Sequence, residues 1–432
     1  MNMPIPKDIP LGLPAPEFLL EVLVVVSFLA HIFFVALMVG GSILTFVLEK
    51  IGAKRPECTH YAHLLGASIT VNKSLAVVLG VAPLLILNTL YTPYFYAANA
   101  LTGTAWIGIV PLVIAAFLLS YAHEYSWKLL SERRGLHLSL AASAAGLFAF
   151  IPLIFLTNIN LMLYPEFWPK VRGFVSALLL PNVLPRYLHF LTACIALTGL
   201  FMVWMLRRHT DDDEAFAETG KPQALRLFYS IAFVATCLQV LFGPFLYLTL
   251  PAQGITWSMT GVILAGAAAA LVVMWLLWRE VRAEEAEPGA RFWPIVLVLS
   301  GVVALMATGR HMIRETSIEP HRTLVAAKTE AYMMRVHESQ DYVLVPGGLG
   351  AGDVSPGGLV FRKVCASCHA RDTRLVGPPL SEIVPLYAGN PEGIIAWTKA
   401  PGRKRMDYPA MPPQVLPDED LKAVAEYILE GD

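Results

Sequence analysis

Eight apolar runs, near 17–49, 71–92, 104–127, 138–163, 186–206, 226–250, 258–279 and 292–314, constrain this chain more than any other feature. Each is about as long as the roughly 20 residues a helix needs to cross a bilayer. The expected fold class is therefore all-α: an eight-transmembrane-helix bundle whose outer surface meets lipid. Composition agrees, with 15% charged and 56% hydrophobic residues in a chain of 432. A soluble enzyme is excluded by that balance, and a net charge of −1 supplies no field for nucleic acid. No cleavable signal peptide is expected, since no basic region precedes the first long run.

The loops predict an orientation. Lys50, Lys54 and Arg55 follow the first run; Lys128, Arg133 and Arg134 follow the third; Arg207, Arg208, Lys221 and Arg226 follow the fifth; Arg279, Arg282 and Arg291 follow the seventh. The alternate loops carry only Lys170, Arg172 and Arg186. Basic loops stay inside, so both termini are expected on the outer side of a bacterial cytoplasmic membrane.

Near the C-terminus stands Val364-Cys365-Ala366-Ser367-Cys368-His369. Two cysteines two residues apart with histidine next is the pattern of c-type haem attachment. Two thiols meet the two vinyl groups of one haem while the imidazole of His369 takes one face of the iron. A zinc pair would need two further ligands, and no suitable Cys or His follows. The sixth ligand is expected from Met411 in the rigid Tyr408-Pro409-Ala410-Met411-Pro412-Pro413 loop, with Met406 as its competitor. His/Met ligation raises the potential in a way that suits electron transfer. Cys194 and Cys237 fall within apolar runs and read as small buried hydrophobes, and Cys58 is expected to face the reducing cytoplasm.

Residues 355–432 resemble class I cytochrome c through the CxxCH segment, the Gly377-Pro378-Pro379-Leu380 turn, the methionine loop and a final helix near Asp418–Leu429. The resemblance implies one covalent haem c, which is attached only outside the cytoplasmic membrane. That requirement agrees with the orientation drawn from the loops. The expected domains are 1–315 in the membrane, 316–358 as a periplasmic connector and 359–432 as the monohaem domain. Within the connector a helix is expected around Thr323–Arg335, followed by a flexible Gly/Pro linker from Pro346 to Gly358. Such a tether would hold the haem c at high effective concentration near the membrane.

Three histidines share one depth toward the outer side: His31 in the first run, His189 in the fifth and His311 at the end of the eighth. An ionisable residue inside a span is functional by default, and imidazole is a common haem ligand in helical bundles. These three are the candidate iron ligands of two or three haems b. Arg310 and Arg314, flanking His311, are candidate partners for haem propionates. His60, His63, His137 and His209 lie in or beside the basic loops and are expected to be solvated. His123, beside Glu124, is expected at the membrane interface. Tyr91, Tyr94, Tyr96 and Trp106 read as an aromatic interfacial belt.

The membrane part, about 15–315, resembles the large haem-bearing subunit of cytochrome bd quinol oxidases. His31 stands in a Phe/Leu-rich outer half, Asn182-Val183-Leu184-Pro185-Arg186-Tyr187-Leu188-His189 is similar to the segment before the family's low-spin haem b histidine, and Trp257-Ser258-Met259 opens the seventh run. By this resemblance Met259 is the second low-spin ligand, and His311 with Arg314 takes the spacing of a glutamate and arginine at the end of the eighth run. The chain departs from the family too. Asn88 and Leu119 stand where the oxidases carry glutamates, and only Pro251 to Trp257 join the sixth and seventh runs, so the long quinol-binding loop is absent. With almost no carboxylate expected inside the membrane, proton delivery for oxygen reduction lacks a route.

The function expected is electron transfer between the quinone pool and a periplasmic redox partner, a cytochrome or redox enzyme, through haems b and the tethered haem c. No catalytic residue and no quinone-binding residue is assigned. Two other readings stay open: a relay or anchor subunit of a larger periplasmic redox complex, and a bd-type terminal oxidase fused to cytochrome c. The resemblance also implies a hetero-oligomer with a second membrane subunit.

Overall fold

The computed structural model describes residues 12–209, 216, 220–283, 289–340 and 355–430, and it is all-α, with no strand among them. The first unit, 1–329, contains α1 (Glu17–Ile51), α2 (Pro56–Leu90), α3 (Thr92–Thr102), α4 (Thr104–Tyr125), α5 (Arg134–Met162), α6 (Phe174–Leu178), α7 (Val183–Arg207), α8 (Lys221–Leu248) and α9 (Trp257–Val281); α10 (Phe292–Gln340) begins within it. Eight of these helices are long and apolar enough to cross a membrane. The chain is a multi-pass membrane protein.

Long leucine- and valine-rich runs make helices here because every backbone group must find its partner inside the segment. Their exposed surfaces remain apolar: Val78, Ile107, Leu118, Leu264 and Leu297 all face outward. Packing uses small residues instead. Gly40, Gly41, Ser42 and Thr45 of α1 are buried, as are Cys194, Thr198 and Gly199 of α7, and α1 packs along both α2 and α7. Small side chains let helix backbones approach where lipid offers no hydrophobic drive.

The second run of the sequence is longer than expected. α2 starts at Pro56, and its first turns bury Cys58, Tyr61, Ala62, Leu65 and Ile69 against Leu200, Val203 and Phe228. Hydropathy missed these turns because Glu57, His60 and His63 dilute them. Cys58 is therefore buried, not facing solvent. The connections after α2 and α5 contain two unforeseen helices, α3 and α6. The former buries Tyr94 and Phe95 beside Tyr91, Leu161 and Trp168. The aromatic belt is thus corrected: Tyr91 and Tyr94 are core residues, Trp106 sits between Phe95 and Phe155, and Tyr96, 61% exposed, alone keeps the interfacial character expected of it. The helix expected near Thr323–Arg335 exists, though as the unbroken continuation of α10.

The second unit is 330–432. Its elements are α11 (Pro356–Val360), a π turn Phe361–Cys365, α12 (Leu380–Ile383), α13 (Pro391–Lys399) and α14 (Asp418–Glu430). Phe361, Ala366, Leu380, Ile394, Val424, Ala425 and Ile428 form its core. Most of the expected Gly/Pro linker, its residues 346–354, lies outside the described residues. Its last residues do not: Pro356 to Gly358 open α11, with Ser355 Oγ accepting from the Gly358 N–H at 3.1 Å.

Candidate functional site

In the C-terminal unit, α11 runs directly into the π turn that ends on Cys365. Single π turns of this kind recur at functional sites. The His369 N–H donates to the Cys365 carbonyl (3.0 Å), so the two cysteines and the histidine occupy one closed turn. Both thiols are free and half-buried. His369 Nδ1 donates to the Pro378 carbonyl at 2.8 Å. A carbonyl only accepts, so the ring proton is on Nδ1 and Nε2 keeps its lone pair for a metal. Gly377 makes this possible: a Cβ there would fall 2.4 Å from His369 Cε1. Met411 is half-buried, whereas Met406 is 83% exposed. Two thiols, an imidazole with Nε2 free and a thioether are donors that fit a covalent haem.

In the membrane unit the same device appears. His31 Nδ1 donates to the Ala76 carbonyl of α2 at 2.8 Å, leaving Nε2 for iron. Gly80, one turn on, gives the ring its room, since a Cβ there would lie 2.7 Å from His31 Cε1. His189 Nδ1 is buried without a hydrogen-bond partner, its ring beside the backbone of Gln239 in α8. Met259, wholly buried, sits at the start of α9, its N–H bound to Thr256 Oγ1 at 3.2 Å. His311 differs from the other two. Its Nδ1 accepts from Arg314 Nη2 at 2.9 Å, so the ring proton lies on Nε2, 4.0 Å from Glu21 Oε2.

The structure brings these groups to one end of the bundle. Phe28 touches the His31 ring, with centroids 6.5 Å apart, and carries the Arg310 guanidinium 4.3 Å above its face. Arg310 also feels the charges of Arg186 and Arg314. Guanidiniums pair bidentately with carboxylates, so a haem propionate has the charge and geometry to meet Arg310. Arg186, one turn before His189, reads in the sequence as a loop cation and not as a propionate partner. The flanking network centres on one carboxylate: the Tyr91 hydroxyl donates to Glu315, which Arg322 Nη1 meets at 2.9 Å.

Residues 354–432 match the cytochrome c family. The cytochrome c-551 of Azotobacter vinelandii is 36% identical over 74 residues, 16% of this chain and 90% of that protein. Through this domain the chain belongs to the cytochrome c family. The cytochrome c-551 of Pseudomonas aeruginosa is 31% identical over 83 residues, 18% of this chain and 80% of that protein. Among solved structures, a bd oxidase chain from Geobacillus thermodenitrificans superposes with a TM-score of 0.52 at 14% identity, covering 76% of this chain and 97% of that one. The membrane bundle therefore has a bd oxidase-like fold, and the cytochrome c domain follows it.

The methionine loop of the cytochrome c domain is held by arginines. Arg405 grips Asp407 through Nε (3.0 Å) and Nη2 (2.7 Å) and reaches Glu382 with Nη1 (2.5 Å). Arg374 donates to the Asp407 carbonyl, and Arg403 to that of Met406 at 2.9 Å. The hydrogen bonds from Arg405 hold the Asp407 carboxyl below its ordinary value. A depressed carboxylate contributes stability above its unfolded pKa, about 3.9, and loses it as pH falls through the lower folded value. Arg405→Ala is expected to melt earlier than the parent at pH 5–7, modestly because the pair is exposed. The two melting curves, followed by haem c absorbance, should draw together as pH falls below the unfolded value of about 3.9.

Sequence reasoning misplaced two histidines at the other end of the bundle. His123 and His137 are buried on Glu49, not interfacial or solvated. It also missed Lys73, fully buried in α2, whose Nζ donates to Ser120 Oγ at 3.3 Å and sits 3.3 Å above the Tyr121 ring. Glu49 and Glu280, in the last turns of α1 and α9, are buried as well. Neither of the two positions singled out by the departures from the oxidases supplies a carboxylate. Asn88 Nδ2 donates to the Leu84 carbonyl at 3.2 Å, and Leu119 packs in an apolar cluster with Phe117 and Phe148.

Proposed function

We propose that the chain is an electron-transfer protein that exchanges electrons between membrane quinone and a redox partner on the outer side, through haems b in the bundle and the haem c of its C-terminal domain. The observation that carries this reading is shared geometry: His31 and His369 each have Nδ1 bound to a backbone carbonyl and Nε2 free. When bound, haems supply one-electron chemistry at potentials the protein tunes. The chain's own work is orientation and charge. His31 and His189 would hold iron in the bundle, with Met259 the partner of His189, while Arg186, Arg310 and Arg314 would neutralise propionates. His311 is the candidate for a third haem and would exchange its Glu21 contact for the metal. His369 and Met411 would be the axial pair in the cytochrome c domain, with Cys365 and Cys368 as the covalent anchors.

The positive-inside pattern of the loops supports placing both termini on the periplasmic side. Apolar outward faces are the lipid contact, and a second membrane subunit is proposed by likeness to the bd oxidases. Asn88 and Leu119 favour the conduit over an oxygen-reducing enzyme, since neither titrates. A relay subunit lacking a quinone site is the alternative that the same test separates. Adding a quinol analogue anaerobically should reduce both b- and c-type bands, and admitting air should reoxidise them slowly. Sustained oxygen uptake would restore the oxidase. Reduction by dithionite but not by quinol would make the chain a relay fed by a partner.

A further inference from the structure

Away from His189 and His311, at the opposite end of the bundle, three ligating side chains converge from separate helices. Glu49, 2% exposed, ends α1; His123 ends α4; His137 opens α5. Glu49 Oε2 lies 2.8 Å from His123 Nε2, and Glu49 Oε1 lies 2.6 Å from His137 Nδ1. His137 Nε2 is 3.0 Å from the His123 carbonyl oxygen. This last contact constrains the chemistry. The carbonyl accepts only, so Nε2 carries a ring proton, and Nδ1 faces a carboxylate oxygen across 2.6 Å, a gap that a second ring proton or a metal cation must close. Burial sharpens the need, since the rings of His123 and His137 are covered by Trp127, with centroids 5.3 and 4.5 Å away, and a pair of lone electron pairs shielded from water repels strongly.

We propose that Glu49, His123 and His137 form a binding site for a divalent transition-metal ion of the zinc type. Their donor atoms all lie within 4.8 Å of one another. Zinc takes imidazole nitrogen and carboxylate oxygen at about 2.0–2.2 Å, so the three ligands close on one ion once the 2.6–2.8 Å separations open to tetrahedral spacing. The hydrogen bond from His137 Nε2 to a carbonyl is the outer support that ligating histidines ordinarily have. Arg134 Nη2, donating to the Glu49 carbonyl at 2.7 Å, fixes the end of α1 from which the carboxylate projects. The ion would fasten α1 to the α4–α5 hairpin and leave one coordination position for water. Its ligands are distinct from every residue assigned above to haem.

The test uses the full-length haem-loaded protein in detergent, stripped with a chelator, incubated with zinc and desalted, with zinc measured by mass spectrometry independently of iron. One zinc per chain is expected, with X-ray absorption at the zinc edge reporting nitrogen and oxygen ligands. His123→Gln and His137→Gln should each weaken retention at least about 10-fold, with haem spectra unchanged as the control for folding. Parent protein that keeps no zinc, or keeps as much as the His123→Gln/His137→Gln double variant, overturns the proposal. The parent measurement stands alone if a variant fails to fold, and a parent without zinc would mean that protons hold the cluster.

Discussion

Gly80→Ala is expected to cost the membrane bundle the same b-type haem as His31→Ala. The added methyl would lie 2.7 Å from His31 Cε1 and 3.0 Å from Nδ1, which no imidazole tolerates, so the ring must swing off the Ala76 carbonyl. Overpacking a tight site costs about 1–3 kcal/mol. Expressed as haem affinity, this is about 5- to 150-fold, at about 1.4 kcal/mol per factor of ten. Removing the imidazole altogether in His31→Ala should lower the haem b count by one, read by pyridine haemochrome against the covalent haem c as internal standard. Gly146→Ala is the control, since nothing lies within 4 Å of its Cβ position. Equal haem content in Gly80→Ala, His31→Ala and parent would remove His31 from the ligand set.

Gly377→Ala should have a comparable effect in the cytochrome c domain by a different readout. Its methyl would meet His369 Cε1 at 2.4 Å and Nδ1 at 2.8 Å, displacing the ring from the Pro378 carbonyl. Loss of that hydrogen bond costs about 1 kcal/mol, added to about 1–3 kcal/mol of overpacking. The haem stays attached, because Cys365 and Cys368 are untouched, so the expected result is a lowered denaturation midpoint and a perturbed axial-ligand spectrum at full haem c content. An unchanged midpoint would mean that the turn can shift bodily, and the glycine would then have no structural claim on the histidine.

The architecture was legible where one physical demand dominates. A bilayer demands about 20 apolar residues, and eight runs of that length appear as eight helices. A haem c demands two thiols and an imidazole in the five residues 365–369, and Cys365, Cys368 and His369 state it outright. What the sequence hid were arrangements made by distant partners. Glu49 meets His123 and His137 across 74 and 88 residues, and each of the three alone reads as a polar group at a helix end. Tyr91 and Tyr94 looked interfacial because aromatic side chains at that depth usually are; the unforeseen α3 carries Tyr94 into the cluster that also buries Tyr91. Lys73 stands third in the expected run 71–92 and read as part of its polar edge, because the run left out the fifteen residues 56–70 that open α2.

The rings of His31 and His369 are steered by main-chain carbonyls, those of Ala76 and Pro378. A carbonyl belongs to every amino acid, so substitutions at 76 or 378 leave the acceptor in place provided the backbone holds its path. Orientation of these rings is thus insured against sequence drift in a way that a side-chain partner would not be. What mutation can damage is the empty space beside each ring, and both spaces are glycines. Vulnerability in this protein is concentrated where a side chain is missing.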